Sequence, residues 1–166
     1  FLQAPGNTIL KAWVINNILS AEDWNKLKLY HYEQTFLMSH AGVHPSLLKD
    51  SKNKLRSIKL NTQDALLCAK KGDAHPWLDC GYSRGGRAKV GGLTWLDWAE
   101  EFESVHGLNQ IVGHTPAKEP RKCWRISRDS KNYCIDTENK HYIVLGDGRV
   151  TIKEVIKDGD RKTDRI

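Results

Sequence analysis

The chain has 166 residues, with 39% hydrophobic and 28% charged side chains, which suits one globular domain and is too short for two large ones. No apolar run approaches the roughly 20 residues that cross a bilayer, and no signal peptide is recognised, so we expect a cytoplasmic protein. The net charge of +6 lies in Lys49–Lys59, Lys118–Arg128 and Lys153–Arg165 without an arginine-rich helix. This distribution favours solvated faces or an anionic substrate over a nucleic-acid groove.

Four segments are predicted to be helices from the spacing of their apolar residues or from their capping residues. In chain order they are Ile9–Ile18, Ser20–Leu27, Thr62–Lys71 and Asp97–Val105. The first is predicted to be amphipathic, and the second opens with a capping-box-like segment, Ser20–Asp23. Gly72 is the natural stop of the third helix, and Asp97 is the expected cap of the fourth.

Strands are predicted mainly in the second half of the chain. In chain order they are Leu29–Ser39, Gln110–Gly113, Lys122–Ser127, Asn132–Thr137, His141–Leu145 and Val150–Val155. Residues 79–92 are rich in Gly, Ser and Arg and predict a loop, while Gly146–Arg149 is typical of a hairpin turn. The order of elements predicts one domain of the α/β (α+β) class over residues 1–156, followed by a polar tail over residues 157–166.

Two histidines follow predicted strands in the same way. Ser39 runs into His40-Ala41-Gly42, and Val112 runs into Gly113-His114-Thr115. Open α/β sheets place ligands at the carboxyl ends of their strands, and small residues let the backbone turn away so that an imidazole can reach a metal. The alternative for each is a buried histidine bonded to the backbone. Because the pattern occurs twice, we expect His40 and His114 to meet at one metal ion.

Four motifs in this order resemble those of the calcineurin-like metallophosphoesterases. They are SHAGVHP at 39–45, GLTWLDW at 92–98, IVGHTP at 111–116 and CIDT at 134–137. The resemblance covers about residues 25–152. It is closest to the phosphoprotein phosphatase branch with its bacterial and phage relatives, including the diadenosine tetraphosphatase type. It implies a sandwich of two sheets flanked by helices, and hydrolysis of phosphoesters with two divalent metal ions of the Mn, Fe or Zn type. His40 and His114 would bind the second metal.

Two further residues, Arg84 and Asp97, are candidates for the catalytic site. Arg84 lies with Arg87 in a glycine-rich loop, where a guanidinium group can pair with phosphate oxygens; the alternative is a solvated loop. Trp95 and Asp97 match a Trp-x-Asp element that lies near the active-site floor in the family. Asp97 is equally plausible as a helix cap.

Structural roles are expected for the remaining polar residues. His44 should shape the turn at Pro45, and Asp136 should form a hydrogen bond at the end of its strand. The four cysteines show no Cys-x-x-Cys spacing and are expected to be free thiols. They are Cys68, Cys80, Cys123 and Cys134.

The family's early metal-ligand motifs do not occur ahead of His40. These motifs are Asp-x-His, Gly-Asp-x-x-Asp and Gly-Asn-His-Asp/Glu. Two imidazoles are too few to hold two hard cations, which prefer carboxylates. Since the chain also begins at Phe1, we expect an incomplete chain that lacks the N-terminal metal ligands. The alternatives are a partner chain that supplies them, or a non-catalytic binding or scaffold module.

The expected partner is a phosphorylated substrate, as for a protein serine/threonine phosphatase or a dinucleoside polyphosphate hydrolase. No membrane partner is expected, and nucleic acid is disfavoured. A sheet that lacked half of its sandwich would expose an open edge and face. We therefore expect either self-association that covers this face or a rearrangement of the helix over residues 8–19.

Overall fold

The computed structural model describes residues 8–48, 52–123 and 129–155. These residues form a mixed α and β fold, with one five-stranded mixed sheet, one two-stranded sheet and flanking helices. The predicted tail over residues 157–166 lies outside the described residues. In the part of the chain that the structure describes, no helix combines the length and apolarity needed to span a membrane.

The described residues contain three α-helices, two of which have clear capping residues. They are α1 (Thr8–Ile18), α2 (Ala21–Lys26) and α3 (Lys54–Lys71). The predicted capping box of α2 is confirmed, because the Ser20 hydroxyl accepts from the Asp23 amide at 3.1 Å and the Asp23 carboxylate accepts from the Ser20 amide at 2.9 Å. Helix α3 ends before Gly72, as predicted, but begins well before Thr62. Its cap is Asn53, which accepts from the Arg56 amide at 3.0 Å.

Helix α1 exposes most of its large apolar side chains. Ile9, Trp13 and Ile18 are 72%, 64% and 69% exposed, whereas Lys11 is buried. The helix packs against α3, and the Asn16 side chain donates to the Lys70 carbonyl oxygen at 2.8 Å. The predicted helix is confirmed, but the prediction that it is amphipathic is wrong. Apolar residues occupy nearly all sides of this helix, so no single orientation can bury them against one neighbour.

The five-stranded sheet has the order β1-β2-β3-β5-β4. Its strands are β1 (Tyr30–Glu33), β2 (Phe36–Ser39), β3 (Asn109–Val112), β4 (Arg121–Cys123) and β5 (Asn132–Cys134). The central strands β2, β3 and β5 are parallel, and the outer strands are antiparallel to their neighbours. Because β2, β3 and β5 are parallel, their carboxyl ends lie at the same end of the sheet. There the chain continues into His40, His114 and Asp136.

The single strand predicted over Leu29–Ser39 is wrong. The structure has a hairpin, β1 and β2, which turns at Gln34 and Thr35. Both residues have left-handed φ values, 45° and 75°. Tight hairpin turns usually use Asn or Gly at these positions, so the local sequence carried no turn signal.

The helix predicted over Asp97–Val105 is also wrong, because this segment forms turns. Asp97 caps only the first turn, through its Oδ1 and the amides of Ala99 and Glu100. Phe102 and Val105 are both buried, but they belong to two separate core clusters. A continuous helix would place these two side chains on one face, so tertiary packing overrides the helical spacing.

The last strands agree with prediction in position. Of the segment predicted over 122–127, residues 122 and 123 lie in β4, and 124–128 lie outside the described residues. The segment predicted over 132–137 ends as β5 at Cys134. The predicted hairpin is confirmed as β6 (His141–Gly146) and β7 (Arg149–Glu154), which pair with each other in the two-stranded sheet.

Two apolar clusters pack around the five-stranded sheet. One joins β2 to α3 and is made of Leu37, Val43, Leu48, Ile58, Ala65, Trp77, Leu93, Val105 and Leu108. The other lies at the carboxyl ends of β3 and β5 and is made of Ala41, Leu96, Trp98, Phe102, Val112 and Cys134. Buried Gln110 fixes the turn after β2, because its side chain bonds both the amide and the carbonyl of Val43, at 2.8 and 3.1 Å. The second cluster adjoins the two histidine turns, because it contains Ala41 and Val112.

Candidate metal centre at the ends of β2 and β3

The structure brings His40 and His114 together, although 74 residues separate them in the chain. His40 Nε2 lies 2.8 Å from His114 Nδ1, and the ring centroids are 4.7 Å apart. At this distance one ring nitrogen donates and the other accepts, so the rings share one proton between two facing nitrogens. The convergence that the two sequence patterns predict is therefore present. Metal binding by the pair stays a prediction.

Parallel pairing of β2 and β3 brings the two histidine turns side by side, and backbone hydrogen bonds hold them there. The Gly113 amide donates to the His40 carbonyl oxygen at 2.9 Å, which joins the two turns directly. The Ala41 amide donates to the Leu93 carbonyl oxygen at 2.9 Å and holds the first turn against the next segment. His114 itself has a left-handed φ of 67°. This backbone conformation turns the chain away from the strand and leaves the imidazole at the sheet edge.

Partial desolvation favours the neutral form of both imidazoles, although His114 is only half-buried and His40 is exposed. The pKa of His114 is lowered to about 4, mainly by burial and also by the nearby His40 and Arg84, while the charges of Asp97 and Asp136 oppose the shift. Burial also lowers the pKa of His40, again with Asp136 opposing. Neutral imidazole is the form that binds metals. At neutral pH neither ring carries a charge, but the proton between the two facing nitrogens would have to move to another ring nitrogen before both could bind a metal.

The two facing nitrogens fit as ligands of one metal ion. Nitrogens about 2.0–2.1 Å from a tetrahedral zinc-type ion lie roughly 3.4 Å from each other, so the observed 2.8 Å requires only a small opening. Across residues 8–48, 52–123 and 129–155, no group of three or more His, Cys, Asp or Glu converges with metal-ligand spacing. The described residues thus fit as two ligands of one ion, and further ligands would have to come from elsewhere.

Arg84 and Asp97, the two candidate catalytic residues, form an ion pair beside His114. Arg84 Nη2 lies 2.7 Å from Asp97 Oδ2, and the same nitrogen donates to Thr115 Oγ1 at 2.9 Å. Asp97 also caps the following turn through its other oxygen. The buried Asp97 carboxylate therefore caps a turn with one oxygen and pairs with Arg84 beside His114 with the other.

Trp95 lies at the site, whereas His44 and Arg87 are not brought to it by any described contact. The Trp95 ring meets the His114 ring edge-on, with centroids 5.3 Å apart. His44 is buried in its own turn, where Nδ1 bonds the Ser46 hydroxyl at 2.7 Å and Nε2 lies 3.4 Å from Glu103. Arg87 is exposed in the glycine-rich loop.

Sequence reasoning missed one residue of this region, Thr115, and assigned another, Asp136, only a structural role. The Thr115 hydroxyl accepts from Arg84 and from the Trp98 amide at 3.0 Å, which makes it the link between three segments. Asp136 was expected to have a structural role, yet its charge acts on both imidazoles. Each follows a parallel strand at the same sheet edge as the histidines. That shared position was the signal that could have identified them.

Comparisons with known proteins found no relative of this chain. No protein-family model, curated protein or solved structure matches the chain. The case for a function therefore rests on the four sequence motifs and on the geometry of the two histidine turns.

Proposed function

We propose that this chain takes part in metal-dependent phosphoester hydrolysis of the calcineurin-like metallophosphoesterase type. The observation that carries the proposal is the 2.8 Å approach of His40 Nε2 and His114 Nδ1 at the ends of adjacent parallel strands. In that family the two matching histidines serve one metal. The substrate class would be a phosphorylated protein or a dinucleoside polyphosphate. The two-sheet sandwich of the family would contain the five-stranded sheet and the β6–β7 hairpin.

The chemistry divides between a bound cation and the residues of this chain. A divalent cation of the Mn, Fe or Zn type acts as a Lewis acid on phosphoryl oxygens and lowers the pKa of water. His40 and His114 would hold it through Nε2 and Nδ1, the two nitrogens that face each other. Asp136 contributes negative charge close to both rings, which favours a cation between them. Arg84 could meet substrate phosphate, but it would have to do so while its Nη2 remains engaged by Asp97 and Thr115.

Metal titration combined with a hydrolysis assay tests this proposal. The purified chain would be titrated with Mn²⁺ and Co²⁺ and then assayed with p-nitrophenyl phosphate, with and without added Mn²⁺. We expect metal binding by the wild type and its loss in His40→Ala and in His114→Ala, and any metal-dependent turnover should be lost with it. Metal affinity should fall by more than about tenfold in each, since even outer-shell partners of metal ligands contribute roughly 10–100-fold.

His31→Ala is the matched control, because His31 is an exposed histidine on the edge strand β1. It should bind metal and hydrolyse the substrate as the wild type does. Metal binding without turnover in the wild type would favour the non-catalytic alternative. Turnover that survives both site substitutions would contradict the assignment of the two histidines.

A further inference from the structure

The backbone at His114 is in a conformation that its neighbours must hold. A φ of 67° is left-handed, and residues other than glycine are strained in this region. On one side, the Gly113 amide bonds the His40 carbonyl oxygen. On the other side stands Thr115, whose amide donates to the Gly113 carbonyl oxygen at 2.9 Å across the histidine. The direction of the imidazole therefore depends on how firmly Thr115 is held.

Thr115 is buried and is held at both its side chain and its carbonyl. Its Oγ1 accepts from Arg84 Nη2 at 2.9 Å and from the Trp98 amide at 3.0 Å. Its carbonyl oxygen accepts from Arg121 Nη2, which also approaches Cys134 Sγ at 3.3 Å. Two arginines from different segments thus converge on the residue that follows the candidate metal ligand.

Arg84 is in turn fixed by Asp97 rather than left free in its loop. Both oxygens of the Asp97 carboxylate are used, Oδ2 by Arg84 at 2.7 Å and Oδ1 by the amides of Ala99 and Glu100. Arg84 Nε is buried and has no hydrogen-bond partner within the described ranges. The guanidinium group therefore points inward, toward the turns, rather than offering its Nε edge to solvent.

The glycine-rich loop is built to deliver Arg84 to this position. An added Cβ at Gly86 would lie within 1.8 Å of the Cys80 carbonyl oxygen, so only glycine allows the backbone to close there. The buried Glu101 carboxylate accepts from the amides of Ser83 and Gly91, at 3.3 and 2.9 Å, and ties both ends of the loop to one side chain. The loop is therefore an ordered support for the arginine.

We infer that Arg84, held by Asp97 and bonded to Thr115, is a positioning residue that keeps the His114 imidazole directed at His40. The consequence of this positioning for metal affinity rests on the proposed function, whereas the effect of Arg84 on the orientation of the two rings does not. A substrate contact and a positioning role make different predictions. Loss of a contact to phosphate would weaken substrate binding and leave metal affinity unchanged. Loss of positioning would weaken metal binding before any substrate is present.

The test compares Arg84→Met, Thr115→Val and Thr115→Ser with the wild type and with Lys89→Met. Lys89 is an exposed cation in the same loop and serves as the control for charge. Serine keeps the hydroxyl that accepts from Arg84 and Trp98, whereas valine removes it at nearly equal volume. Two quantities would be measured: Co²⁺ affinity by titration, and ring-to-ring nuclear Overhauser contacts between His40 and His114 in metal-free protein.

We expect Arg84→Met and Thr115→Val to weaken Co²⁺ binding about 10–100-fold, the usual effect of removing an outer-shell partner. Both should also lose the ring-to-ring contacts. Thr115→Ser and Lys89→Met should retain both properties. If Arg84→Met does not fold, the valine and serine variants decide the question, because valine removes the acceptor atom at nearly equal volume and serine keeps it.

Retention of ring contacts and Co²⁺ affinity in Arg84→Met, or equal losses in the serine and valine variants, would overturn the inference. A wild-type chain that binds no Co²⁺ would count against the proposed function instead. In that case the ring contacts in the metal-free variants would still decide whether Arg84 positions His114.

Discussion

The turns that carry His40 and His114 and the helix α1 are attached to the fold in opposite ways. The turns are joined to each other through Gly113 and to their surroundings through Thr115, by hydrogen bonds between distant segments. Helix α1 lies against α3 and leaves Trp13 and other large apolar side chains in solvent. One region is held by specific polar contacts, and the other carries apolar surface that its neighbours do not cover.

This contrast shows what each kind of contact can support. A left-handed histidine persists only where its surroundings hold it, as they do at His114. Contiguous exposed apolar side chains mark surfaces that are commonly covered by another molecule or segment. Specific contacts thus hold the end of the sheet that carries the two histidines, whereas α1 presents apolar surface that another molecule or segment can cover.

Among substitutions in the histidine turns, the largest expected effect on stability is that of Gly42→Ala in the turn after β2. Gly42 has a φ of 108°, and an added Cβ would lie 2.9 Å from Phe102 Cε2 and 3.2 Å from Val112 Cγ1. Backbone strain and overpacking together should lower the free energy of unfolding by roughly 2–4 kcal/mol. Urea denaturation followed by tryptophan fluorescence measures this change.

Gly146→Ala is the control for this substitution. Gly146 ends strand β6, and an added Cβ there would meet nothing within 4 Å. Its effect should stay within about 0.5 kcal/mol. Equal losses at the two glycines would show that the turn after β2 is not tightly packed.

A second, smaller effect is expected in the pH dependence of stability. The His114 pKa is about 4 in the folded protein and roughly 6.5 in the unfolded chain, so the unfolded state binds more protons between these values. Stability should therefore be fully present above about pH 6.5 and decline as the pH falls toward about 4. His114→Gln should flatten this slope, with a remainder from His40, whose pKa is also lowered. Unfolding free energies at several pH values measure the slope.

A slope in His114→Gln as steep as in the wild type would mean that the His114 imidazole is not partly buried between the turns in solution.

The smallest effect on stability is expected at α1, with Trp13→Gln. Trp13 is 64% exposed, so the free energy of unfolding should change by less than about 0.5 kcal/mol. We expect the wild type to self-associate through this apolar surface, and the substitution to weaken the association as measured by light scattering. Trp24→Ala, at a buried tryptophan in α2, should instead lower stability by roughly 3–5 kcal/mol. A wild type that stays monomeric at high concentration would contradict the prediction that the apolar surface of α1 mediates self-association.

Local sequence determined the elements whose signals lie within a few residues. The capping box at Ser20, the stop at Gly72 and the hairpin at Gly146–Arg149 were all recognisable, because each depends on neighbouring side chains. The strand-end positions of His40 and His114 were recognisable for the same reason. An apolar run followed by a small-residue turn places a histidine at a strand end in any sheet.

Tertiary structure alone decided the features that join distant segments. Phe102 and Val105 enter different clusters, which no helical pattern could reveal, and the β1–β2 turn at Gln34 and Thr35 lacks the usual turn residues. The link from Arg84 to Thr115 spans 31 residues and involves side chains that carry no spacing signal. Local propensity acts over a few residues, whereas hydrogen bonds and packing between segments depend on the folded chain. For that reason the sequence could indicate which residues belong to the site, but not how they are held.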